Sequence, residues 1–197
     1  LLIAFIVFSD KSLSSLEKKK VAVIFTVSLF VIFFWSAFEQ AGASLTFFAE
    51  EQTNRDLGFY VVPASFFQSL NSTFVVILAP IFAFLWLKMG KREPSSPTKM
   101  AMGLFLLALG YLWIAFGVKD VQPGVKVSMI WLTGMYFMHT SGELCLSPIG
   151  LSLVNKLAPV KFASLLMAVW FTANAFANKL AGVLSALYPD GKTTYVM

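Results

Sequence analysis

The chain has 197 residues, 58% of them hydrophobic and 13% charged. An ordinary soluble domain is about half apolar and about a quarter charged, so this is the composition of a membrane protein. One cysteine, Cys145, excludes an internal disulfide and reads as a small buried hydrophobe. The net charge of +5 does not mark a nucleic-acid surface, because the basic residues sit in short loops between apolar runs.

The opening stretch LLIAFIVF has no basic residues before it and no small-residue cleavage site after it. It reads as the tail of an apolar helix and not as a signal peptide. A membrane-spanning helix needs about 20 mostly apolar residues. Five segments qualify: Val21–Ala49, Val61–Leu87, Met100–Val118, Val127–Val154 and Phe162–Leu187. They are far longer than the ~10 residues of a membrane barrel strand and lack its strict alternation, so helices are expected throughout. The connectors SDKSLSSLEKKK and KMGKREPSSPTK are polar and basic, while EEQTNRDLG, KDVQPGVK and NKLAPVK are short turns carrying Gly or Pro. The closing YPDGKTTYVM has no terminal element, so the chain reads as part of a longer one.

Basic residues divide unequally between the two sides of such a bundle. Lys11, Lys18, Lys19, Lys20, Lys88, Lys91, Arg92, Lys99, Lys156 and Lys161 lie on one side; Arg55, Lys119, Lys126 and Lys192 lie on the other. The richer side is expected in the cytoplasm, so the first span runs outward.

Three charged residues fall inside spans: Glu39, Glu143 and Lys179. A charge at the bilayer centre costs at least ~2.5–3.5 kcal/mol, so each is expected to face a bundle interior, a wet cavity or a partner. Lys179, near the end of its span, reads as a snorkelling residue. Trp35 and Glu39 are four apart, as are Glu143 and Ser147, so each pair shares a helix face. Pro148 supplies no amide and its ring crowds the carbonyl of Leu144, so a bend is expected beside Glu143. Discontinuous helices build midplane sites in transporters in this way. Gln68 and Asn71 on the second span, which also carries Pro80, add polar groups that either glue helices or line a shared cavity. Trp170, Asn174 and Asn178 on the fifth do the same. Gly134, Gly142 and Gly150 recur every eight residues, a spacing suited to close helix packing.

His139 is the only histidine, which excludes a His-rich metal centre and an HExxH protease motif. No nucleophile motif accompanies it, so an enzyme is not expected. No stretch resembles a selectivity filter, which counts against a channel.

Four stretches carry a family resemblance. FFWSAFEQAGASLTFFAE resembles the seventh helix of the proton-dependent oligopeptide transporter family, a branch of the major facilitator superfamily. FFQSLNSTFVVILAPIFAFLW resembles its eighth, GELCLSPIGLSLVNKLAP its tenth and MAVWFTANAFANKLAG its eleventh. The GEL…SP…GLS…KLAP run is the most specific. The resemblance implies an all-α polytopic membrane protein, the C-terminal helix bundle of that superfamily, with helices seven to eleven. Residues 1–20 would be the end of a linker helix and a cytoplasmic loop, and residues 21–197 the bundle fragment. The N-terminal six-helix bundle, with its ExxER motif, would lie elsewhere in the same protein.

The implied function is proton-coupled symport of di- and tripeptides across the cell (inner) membrane by alternating access. The proton would be the coupling ion, with no other cofactor and no metal. A relative carrying another small solute is the alternative within transport. By the same resemblance Glu143 engages the peptide's amino terminus and Asn71 helps hold it. Trp35 and Trp170 line the cavity, Ser147 lies beside Glu143, and Glu39 is a gate acid in proton coupling. Ser72 stands where the family often has proline, which would leave the helix less bent near Asn71.

The charge partition makes a testable statement about topology. In the complete protein, single cysteines at Ser95 and Gln122 are expected to label from opposite membrane faces, with Ser95 cytoplasmic; labelling of both from one face would contradict it.

Overall fold

The computed structural model describes residues 2–122 and 124–187; Lys192 and the closing YPDGKTTYVM beyond Leu187 lie outside the described residues. Seven helices account for most of the chain. A short helix α1 (Leu2–Ser9) precedes α2 (Ser15–Phe38), and a 3-10 turn (Glu39–Gly42) separates α2 from α3 (Ser44–Glu51). The longer α4 (Phe66–Met89), α5 (Ser96–Val118), α6 (Met129–Leu157) and α7 (Ala163–Ser185) follow.

The first span starts earlier than its apolar run. Ser14 caps α2 by accepting from the Glu17 amide at 3.2 Å, and the Glu17 carboxylate accepts from the Ser14 amide at 2.8 Å. This reciprocal capping box satisfies amides that the first helical turn leaves free, so the helix begins in the basic linker. Ser95 caps α5 in the same way, accepting from the Thr98 amide, with Pro97 in the first turn, where a missing N–H costs nothing.

The first span is also broken. Ala43 takes φ −127° and ψ −106°, neither helical nor extended, directly after the 3-10 turn. By contrast, α6 runs as one helix through Pro148 and α4 as one helix through Pro80. The first span is thus discontinuous at Glu39–Ala43, while α4 and α6 remain single helices through their prolines. Gly42 and the small Ala41, Ala43 and Ser44 give this stretch little side-chain packing to hold it straight.

Among the described residues four stretches are long and apolar enough to cross a membrane: Ser15–Glu51, Phe66–Arg92, Ser96–Val118 and Val160–Ser185. The remaining expected span, Val127–Val154, corresponds to α6, the longest helix, whose apolar content is diluted by His139, Thr140, Ser141 and Glu143. Its position explains the difference. It packs against α2, α4, α5 and α7, so its polar residues meet protein and not lipid. The outward faces are apolar instead, as Val76, Ile77, Ile81 and Phe84 show on α4.

Two apolar clusters hold the helices together. One joins Val21, Ile24 and Phe34 of α2 to Leu107, Leu146 and Leu166. The other joins Leu45 and Phe48 of α3 to Phe67, Ile114, Leu132 and Met135. The eight-residue glycine spacing on α6 is a packing device. Gly142 meets Gly103 of α5 backbone to backbone, Gly134 admits the Trp113 ring and Gly150 the Trp170 ring.

Loop contacts sort into two ends. At one, the Lys161 ammonium donates to Asp10 Oδ2 at 2.5 Å and to Ser12 Oγ at 3.1 Å. That bond holds the Asp10 carboxyl well below the usual carboxylate range. Lys99 is at the same end but is not a loop cation: it lies in α5, is 3% exposed, pairs with Glu93 and sits 4.4 Å from the Trp86 ring centroid. At the other end, Thr53–Asn54 (β1) pairs in parallel with Val127–Ser128 (β2), and the Val127 amide donates to the Gln52 carbonyl at 2.8 Å. This is the partition of loops that the charge bias implies.

Candidate functional site

The densest polar grouping inside the bundle lies between α4 and α6. Asn71 Nδ2 donates to Glu143 Oε2 at 2.9 Å and to Thr140 Oγ1 at 3.1 Å. Thr140 and Glu143 are three apart on α6, so one amide reaches both. The Thr140 hydroxyl itself donates to the Tyr136 carbonyl at 2.8 Å, which leaves its oxygen free to accept from Asn71. Thr140 is fully buried, while Asn71 and Glu143 are half-buried. The arrangement leaves one carboxylate oxygen without the amide. Asn71 reaches this position with Ser72 in place of proline; α4 is helical on both sides of it.

The remaining expected residues surround this pair unevenly. Glu39 opens the 3-10 turn and is exposed. Trp35, one turn earlier on α2, is half-buried and makes edge contacts with Phe34 and Phe38 at 5.5 Å and 5.2 Å. Ser147 is half-buried one turn beyond Glu143. Trp170 is 3% exposed, its ring against Gly150 within the core cluster, so in this chain it forms a wall beneath the site and not an open surface. Gln68, one turn before Asn71, donates to Thr46 Oγ1 at 2.8 Å and so braces α3. Asn174 has a buried side-chain oxygen without a partner, and Asn178 and Lys179 are exposed.

Sequence reasoning missed Thr140. Its signal was the spacing Thr140–Glu143, the same three-residue step that links Gln68 to Asn71. It also gave no role to Tyr111, Tyr136 or Gln40, which contact the broken span. Among the described residues no cluster of His, Cys, Asp and Glu could hold a metal ion. An apolar cleft of about 230 Å³ between α1, α2 and α7 is lined by residues such as Phe25, Leu29, Val169 and Phe176; none of the site residues borders it.

A bundle of membrane-length helices, with a broken first span and a half-buried carboxylate packed between them, is the fold of a multi-pass membrane protein. The family model PTR2, the POT family, matches residues 2–196, and the chain belongs to that family. It is 35% identical over 181 residues to the peptide transporter YePEPT of Yersinia enterocolitica, covering 90% of this chain and 35% of that protein. A crystallised peptide transporter POT in complex with alafosfalin superposes with a TM-score of 0.85 at 35% identity, over 96% of this chain and 40% of that one. A POT family transporter in complex with 5-aminolevulinic acid gives a TM-score of 0.83 at 30% identity, over 94% of this chain and 39% of that one. The chain spans little more than a third of the length of the curated relatives it matches, 37% and 35% for two of them. The relatives are named transporters, and the chain is not an enzyme.

The Asn71–Glu143 bond is testable independently of transport. A hydrogen bond to a charged group contributes roughly 1.5–3 kcal/mol. A double-mutant cycle of Asn71→Ala and Glu143→Ala, read by unfolding of the complete protein in detergent, should give a coupling of about 1 kcal/mol or more. Additive effects would mean that the two side chains are not bonded.

Proposed function

We propose that this chain supplies the C-terminal half of the substrate cavity in a proton-coupled symporter of di- and tripeptides. The observation that carries the reading is the Asn71–Glu143 pair. The carboxyl of Glu143 is held inside a membrane bundle by one neutral amide and has no ion-pair partner among the described residues. Burial of an unpaired charge is costly, so such a site favours a cationic ligand. The ammonium group of a peptide is a cation of the right size. Glu143 accepts from it, while Asn71 fixes the rotamer of the carboxylate and Thr140 fixes Asn71.

The other residues take roles around that contact. Trp35 and Trp170 form walls of the cavity and Ser147 offers a hydroxyl one turn from Glu143. Glu39 is the gate acid, which exchanges a proton as it gains and loses a basic partner from the N-terminal bundle. The protein sits in the cell membrane, where the proton gradient drives uptake. The second reading, transport of another small amine-bearing acid, is favoured by the similar transporter crystallised with 5-aminolevulinic acid. The Glu143 contact serves both, and the two differ only in what the rest of the cavity accepts.

Two experiments on the complete protein test these roles. Losing a charge-assisted bond of roughly 1.5–3 kcal/mol corresponds to about 10- to 100-fold weaker binding, the loss expected for Glu143→Gln. N-acetylation of the dipeptide should weaken binding to the unaltered protein similarly and add little in the variant. Losses that simply add would show that Glu143 does not touch the amino group. For Glu39, the Gln variant mimics the protonated acid. In liposomes it should retain peptide exchange while losing proton-driven accumulation, because exchange moves no net proton. Equal loss of both would remove Glu39 from the proton path.

A further inference from the structure

The break in the first span frees backbone groups inside the membrane. In an unbroken helix the carbonyls of Ala37 and Ala41 would accept from the amides of residues 41 and 45. Here side chains from other helices reach them. The Tyr111 hydroxyl of α5 donates to the Ala37 carbonyl at 2.6 Å, and the Tyr136 hydroxyl of α6 donates to the Ala41 carbonyl at 3.2 Å. Thr46 Oγ1 donates to the same Ala41 carbonyl at 3.0 Å, and Gln68 of α4 donates to Thr46 in turn. Gln40, 7% exposed, donates to the Ala181 carbonyl of α7 at 3.0 Å and to the Ser36 carbonyl at 3.2 Å. Its own side-chain oxygen accepts from Ser44 Oγ at 2.7 Å.

The two tyrosine bonds fall two residues before and two residues after Glu39. They bracket the acid from the protein side, while Glu39 itself is exposed. The tyrosines are held in turn. Tyr136 is 2% exposed, and the ring of Tyr111 lies 4.8 Å from that of His139, which also meets Phe38 at 6.2 Å, the residue before Glu39. Four helices therefore converge on residues 37–46: α5 and α6 donate to its carbonyls, α4 donates to Thr46, and α7 accepts from Gln40. A break needed only to relieve packing would not require hydrogen-bond partners on all four.

We propose that Tyr111 and Tyr136 are positioning residues for Glu39: their hydroxyls hold the break open and so fix where the acid meets its partner. The proposal rests on the reading of Glu39 as the gate acid. When the bracket is intact, Glu39 projects from a defined turn. When it is lost, residues 37–45 sample a continuous helix, in which Glu39 is carried to another azimuth.

The test uses the complete protein in lipid nanodiscs and in liposomes, with Tyr111→Phe and Tyr136→Phe made singly. Both keep the ring and lose one hydroxyl, and either variant alone carries the test if the other does not fold. A hydrogen bond of ordinary strength contributes about 0.5–1.5 kcal/mol, so amide exchange across residues 37–45 should quicken by about 2- to 10-fold. Proton-driven accumulation should fall severalfold relative to peptide exchange, in the same direction as Glu39→Gln. Tyr60→Phe, on the exposed outer loop, should change neither. Unchanged amide exchange overturns the proposal. So does faster amide exchange with an unaltered ratio of accumulation to peptide exchange while Glu39→Gln alters it. If Glu39→Gln itself leaves that ratio unaltered, the gate reading has failed and the positioning role falls with it.

Discussion

The structure depends on one constraint: inside a bilayer there is no water to satisfy a backbone group that leaves its helix. A span that breaks between Phe38 and Ser44 exposes such groups, and the neighbouring helices must answer them. The Tyr111 and Tyr136 hydroxyls do so from α5 and α6, Thr46 does so from within the span, and Gln40 both donates to the Ser36 carbonyl and ties the break to the Ala181 carbonyl of α7. The two tyrosines thus stand where the first span needs donors. This ordering explains why tyrosines occur near the middle of helices that otherwise carry Leu, Met and Phe.

The same constraint explains α6. It carries Glu143 together with His139, Thr140 and Ser141, and is too polar for a lipid-facing span. It is tolerated because other helices surround it and because most of its polar atoms have local partners. Thr140 and Ser141 both donate to carbonyls four residues back at 2.8 Å. His139 is the partial exception: Nε2 is buried without a partner, and the Tyr111 ring packs against the imidazole at a tilt, 4.8 Å between centroids. Glu143 stands apart, since a single amide does not neutralise it. A stability argument alone would place leucine there. The proposed contact with a cationic ligand gives the acid a use that the bundle by itself does not supply.

Much of this was legible in the sequence. Runs of apolar residues fixed five helices, and the distribution of lysine and arginine divided the loops into the two groups that Asp10–Lys161 and Thr53–Val127 now join in space. Asn71 and Glu143, on separate spans and 72 residues apart, were named as one grouping and are bonded. What was not legible depended on partners distant in sequence. The prolines at 80 and 148 are the strongest local breakers, yet the break falls at Glu39–Ala43, where small residues and donors from other helices together outweigh helical continuity. The glycine period was visible, but not that Gly150 admits Trp170 and so buries a ring expected to face the cavity. Composition likewise showed Lys99 as a loop cation, because nothing local reveals that Glu93 and Trp86 enclose it.

The central claim is that an interior acid binds the ammonium end of a peptide which the proton gradient then drives across the membrane. The most direct measurement is uptake of labelled dialanine by liposomes containing the complete protein, with an inwardly directed proton gradient imposed and then dissipated. The account predicts accumulation above the external concentration while the gradient lasts, collapse to equilibrium when a protonophore is added, and competition by free but not N-acetylated dipeptides. Uptake indifferent to the protonophore, or equal competition by acetylated peptide, would contradict it.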